Sequence, residues 1–284
     1  MQMTCYIKML IASLFLFFSS QAGSWNALGH RLIAQIAYDY MTPKAKHRFN
    51  QINHALDKVY KPQSFVNAAV WLDTIHYNKG VMWFDAMHYV NQPFSMDGSH
   101  LPEVQKINAV WAIENAIKTL QDKRTFVFDK GIALRVLIHV VGDLHQPLHG
   151  ATLVTRKCPK GDAGGNLFSL GKNAVADDLH WYWDQGAGLF KTTDYVKQPQ
   201  LIRRAHQIEK QWPCELKSVS RKPTDWLKES HAIAIKDVYQ LHPHGKPGKA
   251  YQKHAQNISV QRVALAGCRL AAVLNELAME SSVS

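Results

Sequence analysis

The sequence predicts an all-α fold, organised as a single multi-helix domain, and three observations support this prediction. Apolar residues recur at helical spacing over most of the chain. The alternation typical of strands is confined to two short stretches, residues 126–128 and 166–171. No tract rich in proline, serine or glycine and no internal repeat divides the 284 residues, so one domain over residues 25–284 is the simpler interpretation.

The predicted helices follow one another in order along the chain. The first, residues 32–40, comes shortly after Gly29, and the second, residues 44–56, follows Pro43, which suits the first turn of a helix. Pro199 interrupts a later segment. That interrupted segment covers residues 194–212. The other helices are indicated by their apolar spacing and cover residues 65–75, 103–121, 130–144, 225–241 and 258–278.

The first 24 residues are predicted to be a secretory signal. Lys8 precedes an apolar run, residues 9–18, that is too short to span a bilayer, and the stretch ends in the small-x-small pattern Ala22-Gly23-Ser24. Cleavage before Trp25 would deliver the mature protein to the periplasm or the extracellular space. Later apolar runs fall short of about 18 residues, so we expect a soluble monomer without stable membrane association.

Charge and cysteine content limit the classes of partner. Without the signal, 32 Lys and Arg residues stand against 22 Asp and Glu, a net charge of +10. A basic surface attracts nucleic acid, anionic lipid or acidic glycan, and charge alone neither chooses among them nor excludes a merely soluble basic protein. Cys158, Cys214 and Cys268 remain, which predicts one disulfide and one thiol, with the pairing open.

Residues 139–150, HVVGDLHQPLHG, place three histidines and an aspartate on a segment that otherwise has the pattern of a buried helix. His139 and Asp143 are spaced i, i+4 and therefore share one helix face. Pro147 should end or kink the helix, which lets His149 turn back toward that pair. Two explanations are open: hydrogen-bonded histidines in the core, or a bound cation.

A second i, i+4 pair, His180 and Asp184, occurs farther along the chain. A lone histidine on an apolar face is more typical of a hydrogen-bonded core residue than of a ligand. Clustering favours the cation, because histidine with carboxylate is the zinc ligand set outside thiolate sites, and buried carboxylates need a cation to offset their desolvation. His145 lies about 200° around the helix from Asp143, so we expect a hydrogen-bonded supporting role for it.

Several motifs, in this order, give the chain a resemblance to the zinc-dependent single-strand-specific nucleases of the mung bean nuclease type, in a superfamily that also contains zinc-dependent phospholipases C. The resemblance covers essentially all of residues 25–284 and implies the helical fold of that superfamily. The motifs are Trp25 with His30, AVWLDTI (69–75), MHYVN (87–91), LIHVVGDLHQPLHG (137–150), GGN (164–166) and LHWYWD (179–184).

The resemblance implies a cluster of three Zn²⁺ ions. The ligands of the three ions would be, in turn, Asp73, His88, His139 and Asp143; Trp25, His30 and Asp143; and His149, His180 and Asp184. Trp25 would bind through its free α-amine and backbone carbonyl, and Asp143 would bridge the first two ions through its two oxygens. Three ions and three aspartates leave a net positive cluster that can bind a phosphate.

The resemblance also implies the reaction. It would be hydrolysis of phosphodiester bonds in single-stranded DNA or RNA to 5′-phosphorylated products, with a 3′-nucleotidase activity. Asp73 would orient the attacking water, Tyr89 would stack on a base, and Asn166 would hydrogen-bond a base edge. His76 stands where such nucleases typically carry Arg or Lys, and a histidine is only partly charged near neutrality.

Two alternatives compete with the nuclease hypothesis. A zinc-dependent phospholipase C would share the metals and the fold, although GDLHQPLH and GGN favour the nuclease. A metal-binding surface or interaction protein with a relic site would be expected to have lost ligands, whereas every expected ligand type is present in this sequence.

Overall fold

The computed structural model describes residues 25–192 and 195–280, so the predicted signal segment lies outside the described residues. The described part is mostly helical, and the predicted all-α class is confirmed. Its helices are α1 (Ala27–Tyr40), α2 (Pro43–His54), α3 (Phe65–Ala68), α4 (Trp71–Lys79), α5 (Ala109–Gln121), α6 (Val127–His145), α7 (Leu179–Asp184), α8 (Gln198–Gln211), α9 (Pro223–Ile233) and α10 (Lys249–Glu280).

Short irregular helices and two strands complete the architecture. The strands β1 (Pro93–Ser95) and β2 (Thr152–Val154) pair in parallel, with Pro93 opposite Thr152. A π-helical segment, Ala234–Val238, continues α9. Single 3₁₀ turns or helices cover Met82–Met87, Pro147–Gly150 and Gly186–Gly188.

Polar side chains begin several helices by accepting hydrogen bonds from backbone N–H groups of the first turn. The Asn26 side chain accepts from Gly29 at the start of α1, and that of Asp178 accepts from Trp181 at the start of α7. Thr42, which precedes Pro43, caps the start of α2 in the same way. These caps fix where the site-bearing helices α1 and α7 enter the core.

Helix α6 lies at the centre of the fold and is buried on nearly every side after its first turn. It packs against α2, α5, α9 and α10, while α1 packs on α10 and α8. The approach of α1 to α10 is close: a Cβ added at Gly267 would lie 2.6 Å from the Ile36 side chain. The apolar core therefore surrounds the segment that carries His139 and Asp143.

Several sequence expectations are corrected in detail. Residues 126–128 are not a strand, because Val127 begins α6, and residues 166–171 contribute only an isolated bridge between Ser169 and Asp178. The helix expected over 65–75 is divided into α3 and α4 at Val70, whose φ and ψ are −103° and 5°. Pro199 lies in the first turn of α8 rather than breaking the helix, since a proline there removes no helical hydrogen bond.

The cysteines divide as expected. Cys214 and Cys268 form a disulfide that joins the segment after α8 to α10, and Cys158 is a half-buried thiol. Among the described residues, no helix is both long and apolar enough to cross a membrane.

Candidate metal centre

The last turns of α6 and the turn that follows bring most of the predicted ligands together. His139 and Asp143 are fully buried, and α6 ends at His145, as Pro147 predicted. The 3₁₀ turn Pro147–Gly150 then carries His149 back into the interior, where it is buried. A helix interrupted by proline thus supplies ligand types on both sides of its end.

The first group of candidate ligands surrounds His139. Its Nε2 lies 3.1 Å from His88 Nδ1, 3.4 Å from Asp73 Oδ1 and 3.4 Å from Asp143 Oδ2. His88 Nδ1 lies 3.1 Å from the same oxygen of Asp143. Two imidazole nitrogens and two carboxylate oxygens from three segments of chain therefore converge on one small volume.

The second group contains His30, whose Nε2 lies 3.3 Å from the other oxygen of Asp143, Oδ1. The His30 ring stacks on that of His139 at 4.0 Å. Gly142 permits this approach, because a Cβ there would lie 3.0 Å from His30 Nδ1. Asp143 thus faces His30 with one oxygen and His88 with the other.

Trp25 lies beside this second group. Its side chain is fully buried, and its indole N–H donates to the carbonyl of Gly142 at 3.0 Å. The next residue, Asn26, donates its backbone N–H to the carbonyl of Asp184 at 3.1 Å. The backbone of Trp25 is therefore held between the segments that carry Asp143 and Asp184.

The third group joins the end of α6 to α7. The Nε2 atoms of His149 and His180 lie 3.1 Å apart, and His180 Nε2 lies 3.5 Å from Asp184 Oδ2. His149 Nε2 lies 3.9 Å from Asp184 Oδ1. All three side chains are buried.

Backbone carbonyls orient three of the histidine rings. The Nδ1 atoms of His139, His149 and His180 lie 2.6, 2.7 and 2.7 Å from the carbonyl oxygens of Ala69, His88 and Gly164, respectively. A carbonyl only accepts, so each Nδ1 carries a proton, and the Nε2 atom of each ring faces the cluster, where its lone pair is available to a metal that displaces any proton there. This is the arrangement that metal-bound histidines adopt.

Charge in the centre depends on which carboxylates have cationic neighbours. Burial raises the pKa of Asp143 and of Asp73, but the neighbouring histidines, His139, His88 and His30, together outweigh it, and both values fall below the ordinary range. Burial alone would lower the pKa of His139, whereas Asp143 and Asp73 raise it to about 9. Asp184 lacks such compensation, and burial raises its pKa well above normal.

The residues present fit a bound cation. Asp143 Oδ1 and Asp184 Oδ2 are buried and accept no hydrogen bond. A buried carboxylate oxygen in that state is costly unless a positive charge compensates it. Imidazole nitrogen and carboxylate oxygen are the zinc donor set in sites without thiolates. Such atoms lie within 4.8 Å of one another, and could hold a metal ion, in three sets that share His139 between the first two: His30, His139 and Asp143; Asp73, His88 and His139; and His149, His180 and Asp184.

Several supporting residues were missed by the sequence reasoning. Gln146 donates from Nε2 to Asp184 Oδ1 at 2.7 Å. Asp162 is buried and accepts from the Tyr239 hydroxyl and from the backbone of Leu153, which orders the loop that presents the Gly164 carbonyl. An isolated Gln or Asp between helices carries no periodic signal, so neither role could be read from spacing.

His145 lies apart from the three groups, as predicted. Its Nδ1 donates to the Val141 carbonyl at 2.7 Å, and its Nε2 accepts from Arg269 at 3.0 Å. Burial, with Arg262 and Arg269 nearby, holds the pKa of His145 far below its usual value. A neutral His145 thus ties the end of α6 to α10.

The remaining predicted site residues lie around the first group. The His76 ring lies 6.4 Å from that of His88, edge to face. Tyr89 follows His88 and is half-buried, and burial with the nearby Asp85 raises the pKa of its hydroxyl. Asn166 is partly exposed and donates to the carbonyl of Ala163 within its own loop.

A fourth group of possible ligands, Asp39, His206 and Glu209, lies at the surface between α1 and α8. His206 Nε2 lies 3.8 Å from Asp39 Oδ2. Burial and the neighbouring Asp39 raise the pKa of Glu209 to about 7. A protonated Glu209 beside the Asp39 carboxylate accounts for this arrangement without a metal.

The fold and the site define a helical protein with a buried cluster of histidine and aspartate of metal-binding composition. The model of the S1/P1 nuclease family matches residues 25–279. The chain belongs to the S1/P1 nuclease family, so the resemblance inferred from its motifs is confirmed.

Individual relatives support the same assignment. The chain is 26% identical to nuclease P1 of Penicillium citrinum over 165 residues, 56% of this chain and 57% of that protein. It is 32% identical to endonuclease 4 of Arabidopsis thaliana over 158 residues, 51% of this chain and 50% of the relative. The chain thus spans about half the length of these relatives, whereas the 26% match to endonuclease 1 of the same plant covers 91% of this chain and 88% of that protein.

Proposed function

We propose that the protein is a zinc-dependent nuclease that hydrolyses phosphodiester bonds of single-stranded DNA and RNA. The single observation that carries this proposal is the presence of three His/Asp groups, two of which share Asp143, in a chain of the S1/P1 nuclease family. The net charge of +11 for the whole chain suits a polyanionic substrate.

The proposed zinc ligands are the residues of the three groups, with the backbone of Trp25 added to the second. Asp143 would serve both of the first two ions, since its two oxygens face His30 and His88 separately. The ligands are, ion by ion, Asp73, His88, His139 and Asp143; Trp25, His30 and Asp143; and His149, His180 and Asp184. Zinc bound in this way supplies a water of lowered pKa and a positive centre for phosphate.

The chain's own residues position the reactants. Asp73 has one-fifth of its side chain exposed while the other two carboxylates are fully buried, so it is the carboxylate that can accept a proton from an attacking water and orient it. His76 supplies positive charge to the phosphate when it is protonated. The bond between phosphorus and the 3′ oxygen breaks, which leaves a 5′-phosphate and a 3′-hydroxyl.

Recognition is proposed to depend on one base rather than on sequence. Tyr89 stacks on that base, and Asn166 hydrogen-bonds its edge. Because a single nucleoside fills these contacts, 3′-nucleotides are also substrates, and the enzyme acts as a 3′-nucleotidase. We propose that the mature enzyme begins at Trp25 after export, works as a monomer in the periplasm or outside the cell, and does not associate stably with membranes.

One set of assays tests the proposal. Purified protein that begins at Trp25 and is saturated with zinc is offered single-stranded DNA, RNA, 3′-AMP and phosphatidylcholine in parallel, with double-stranded DNA as the control. We expect hydrolysis of the first three, slower cleavage of the duplex, and about three zinc ions per chain by elemental analysis. Hydrolysis of phosphatidylcholine alone would establish a phospholipase C instead, and one zinc or none would refute the cluster.

A further inference from the structure

Trp83 is the most exposed large hydrophobic side chain among the described residues, with 87% of its surface accessible. It belongs to the 3₁₀ helix Met82–Met87, which leads directly to His88 in the first metal group. Exposed indole surface is unfavourable in water and is enriched where a partner covers it. Its place in sequence, five residues before a proposed ligand, puts it near the reaction centre.

The geometry of this 3₁₀ helix sorts its side chains into rows. With three residues per turn, residues three apart are eclipsed. Phe84 and Met87 form the row that packs against the core. Trp83 and Ala86 form a different row, and Tyr89 comes next at the same three-residue spacing, two residues beyond the end of the helix, after His88 with φ −79° and ψ −20°.

The row of Trp83 therefore has an aromatic ring at each end and a small alanine between them. At about 2.0 Å of rise per residue, Trp83 and Tyr89 are separated by about 12 Å along the helix. That length corresponds to roughly three to four bases of a stacked strand at 3.4 Å per base. The two rings are thus spaced to engage different bases of one strand.

The backbone that carries Trp83 is anchored to the helix that carries Asp73. The Phe84 ring packs edge to face on Trp71 at 6.4 Å, and the Val81 N–H donates to the Ile75 carbonyl at 3.2 Å. Gly80, with φ of +65°, makes the sharp reversal between α4 and the 3₁₀ helix. Trp83 is therefore a preorganised platform whose use costs little backbone entropy.

We propose that Trp83 is a second base-stacking platform, which binds a base of the single-stranded substrate beyond the one that Tyr89 contacts. This inference rests on the proposed nuclease function and deepens it. Aromatic stacking accepts any base and is available only where bases are unpaired, so Trp83 favours single-stranded oligonucleotides over both duplexes and mononucleotides.

Kinetics on two substrates test the platform. We expect Trp83→Ala to lower the ratio of kcat/KM for a single-stranded oligonucleotide to that for 3′-AMP about tenfold, through a higher KM for the oligonucleotide. Trp83→Phe keeps a ring and should recover most of the ratio. The matched control is Phe126→Ala, since Phe126 is 80% exposed but directly precedes α6, about 20 Å along that helix from His139.

Binding provides a readout that does not need hydrolysis. Fluorescence anisotropy of a labelled oligothymidylate with hydrolysis-resistant phosphorothioate linkages is measured on zinc-loaded protein, with and without Trp83→Ala, and again with a matching oligonucleotide whose bases have been removed. We expect Trp83→Ala to weaken binding of the normal oligonucleotide about tenfold and to leave binding of the abasic one within twofold.

The outcomes separate the two proposals. Wild-type protein that hydrolyses neither substrate refutes the nuclease function, while the anisotropy still decides whether Trp83 binds bases. An active wild type whose substrate ratio and oligonucleotide binding are unchanged by Trp83→Ala refutes the platform alone. Equal losses on oligonucleotide and 3′-AMP, or on normal and abasic strands, would show that Trp83 acts only through the local fold.

Discussion

Gln146 donates a hydrogen bond from Nε2 to Asp184 Oδ1 at 2.7 Å, at the point where α6 gives way to the Pro147 turn. The other oxygen of Asp184 faces His180 Nε2 at 3.5 Å. This hydrogen bond therefore fixes the orientation of the Asp184 carboxylate, so that Oδ2 faces the proposed site of the third zinc ion. Such outer partners orient a ligand without touching the metal.

The first prediction concerns this bond. Gln146→Leu should lower the affinity of the third group for zinc about 10- to 100-fold, because Asp184 loses its orienting donor while the three ligands remain. Titration against a competing chelator measures this affinity, and circular dichroism checks the fold. Gln200→Leu on the exposed side of α8 is the control. Unchanged zinc affinity in Gln146→Leu would show that Gln146 does not support the site.

The second prediction concerns the bridging role of Asp143. Asp143→Asn should weaken two metal groups at once, because its two oxygens face His30 and His88 separately. We expect zinc content after gel filtration to fall from about three ions to about one. Asp184→Asn, which alters only the third group, should retain about two ions. Equal zinc loss in the two variants would contradict the bridge.

The helix pattern predicted α6 with its pair His139 and Asp143, and the i, i+4 spacing alone indicated the pair His180 and Asp184, which lies on α7. The convergence of His30, Asp73 and His88 could not be read from spacing, since these residues come from three other segments, and only the resemblance to zinc nucleases connected them. The close approach of Gly142 to His30 could not be read from spacing either. It depends on how α1 crosses α6, not on local sequence.

The two strands, and the backbone carbonyls that orient the histidine rings, show a different limit of prediction from sequence. β1 and β2 have three residues each and no alternation to detect, and they exist because the segment after Tyr89 runs beside the one after His149. The carbonyls of Ala69 and Gly164 orient ligand rings through backbone atoms that every residue possesses. Backbone roles leave no side-chain signature in a single sequence.

The third prediction uses the raised pKa of Glu209. Burial and the adjacent Asp39 place this pKa at about 7, above its value of 4.5 in the unfolded chain. The protonated form is therefore favoured by folding, and its stabilising contribution is complete below pH 4.5 and is lost as pH rises through 7. Glu209→Gln removes this loss, and the variant should gain about 1 kcal/mol of stability over wild type at pH 8, after allowance for solvent screening.

Melting temperatures of both proteins from pH 4 to 8 check this prediction. The proposed metal groups also titrate, but both proteins share them, so only the difference between the two melting curves matters. That difference should change mainly between pH 4.5 and 7. Glu114→Gln, on the exposed side of α5, is the control. A difference between wild type and Glu209→Gln that does not change with pH would show that Glu209 ionises normally.

The last prediction concerns Trp25. A side-chain ligand is indifferent to what precedes it in the chain, but an α-amine exists only once the preceding peptide bond has been cut. An amide nitrogen has no available lone pair for zinc. We therefore expect protein with one extra methionine before Trp25 to bind about one zinc fewer than protein that begins at Trp25, and to lose most of its activity on single-stranded DNA.

The surroundings of Trp25 separate loss of the lone pair from simple crowding. Its indole bond to Gly142 and the bond from Asn26 to Asp184 hold the residue in place whatever precedes it. Acetylation of the mature N-terminus adds little bulk but removes the lone pair, so it should reproduce the loss caused by methionine, and proteolytic trimming of the extended protein back to Trp25 should restore zinc and activity together. Extended or acetylated protein that matches the trimmed form in both measurements would show that His30 and Asp143 bind the second ion without the amine. Removal of the signal would then be a step of export alone, whereas a loss in both forms would make the same cleavage the step that completes the metal centre.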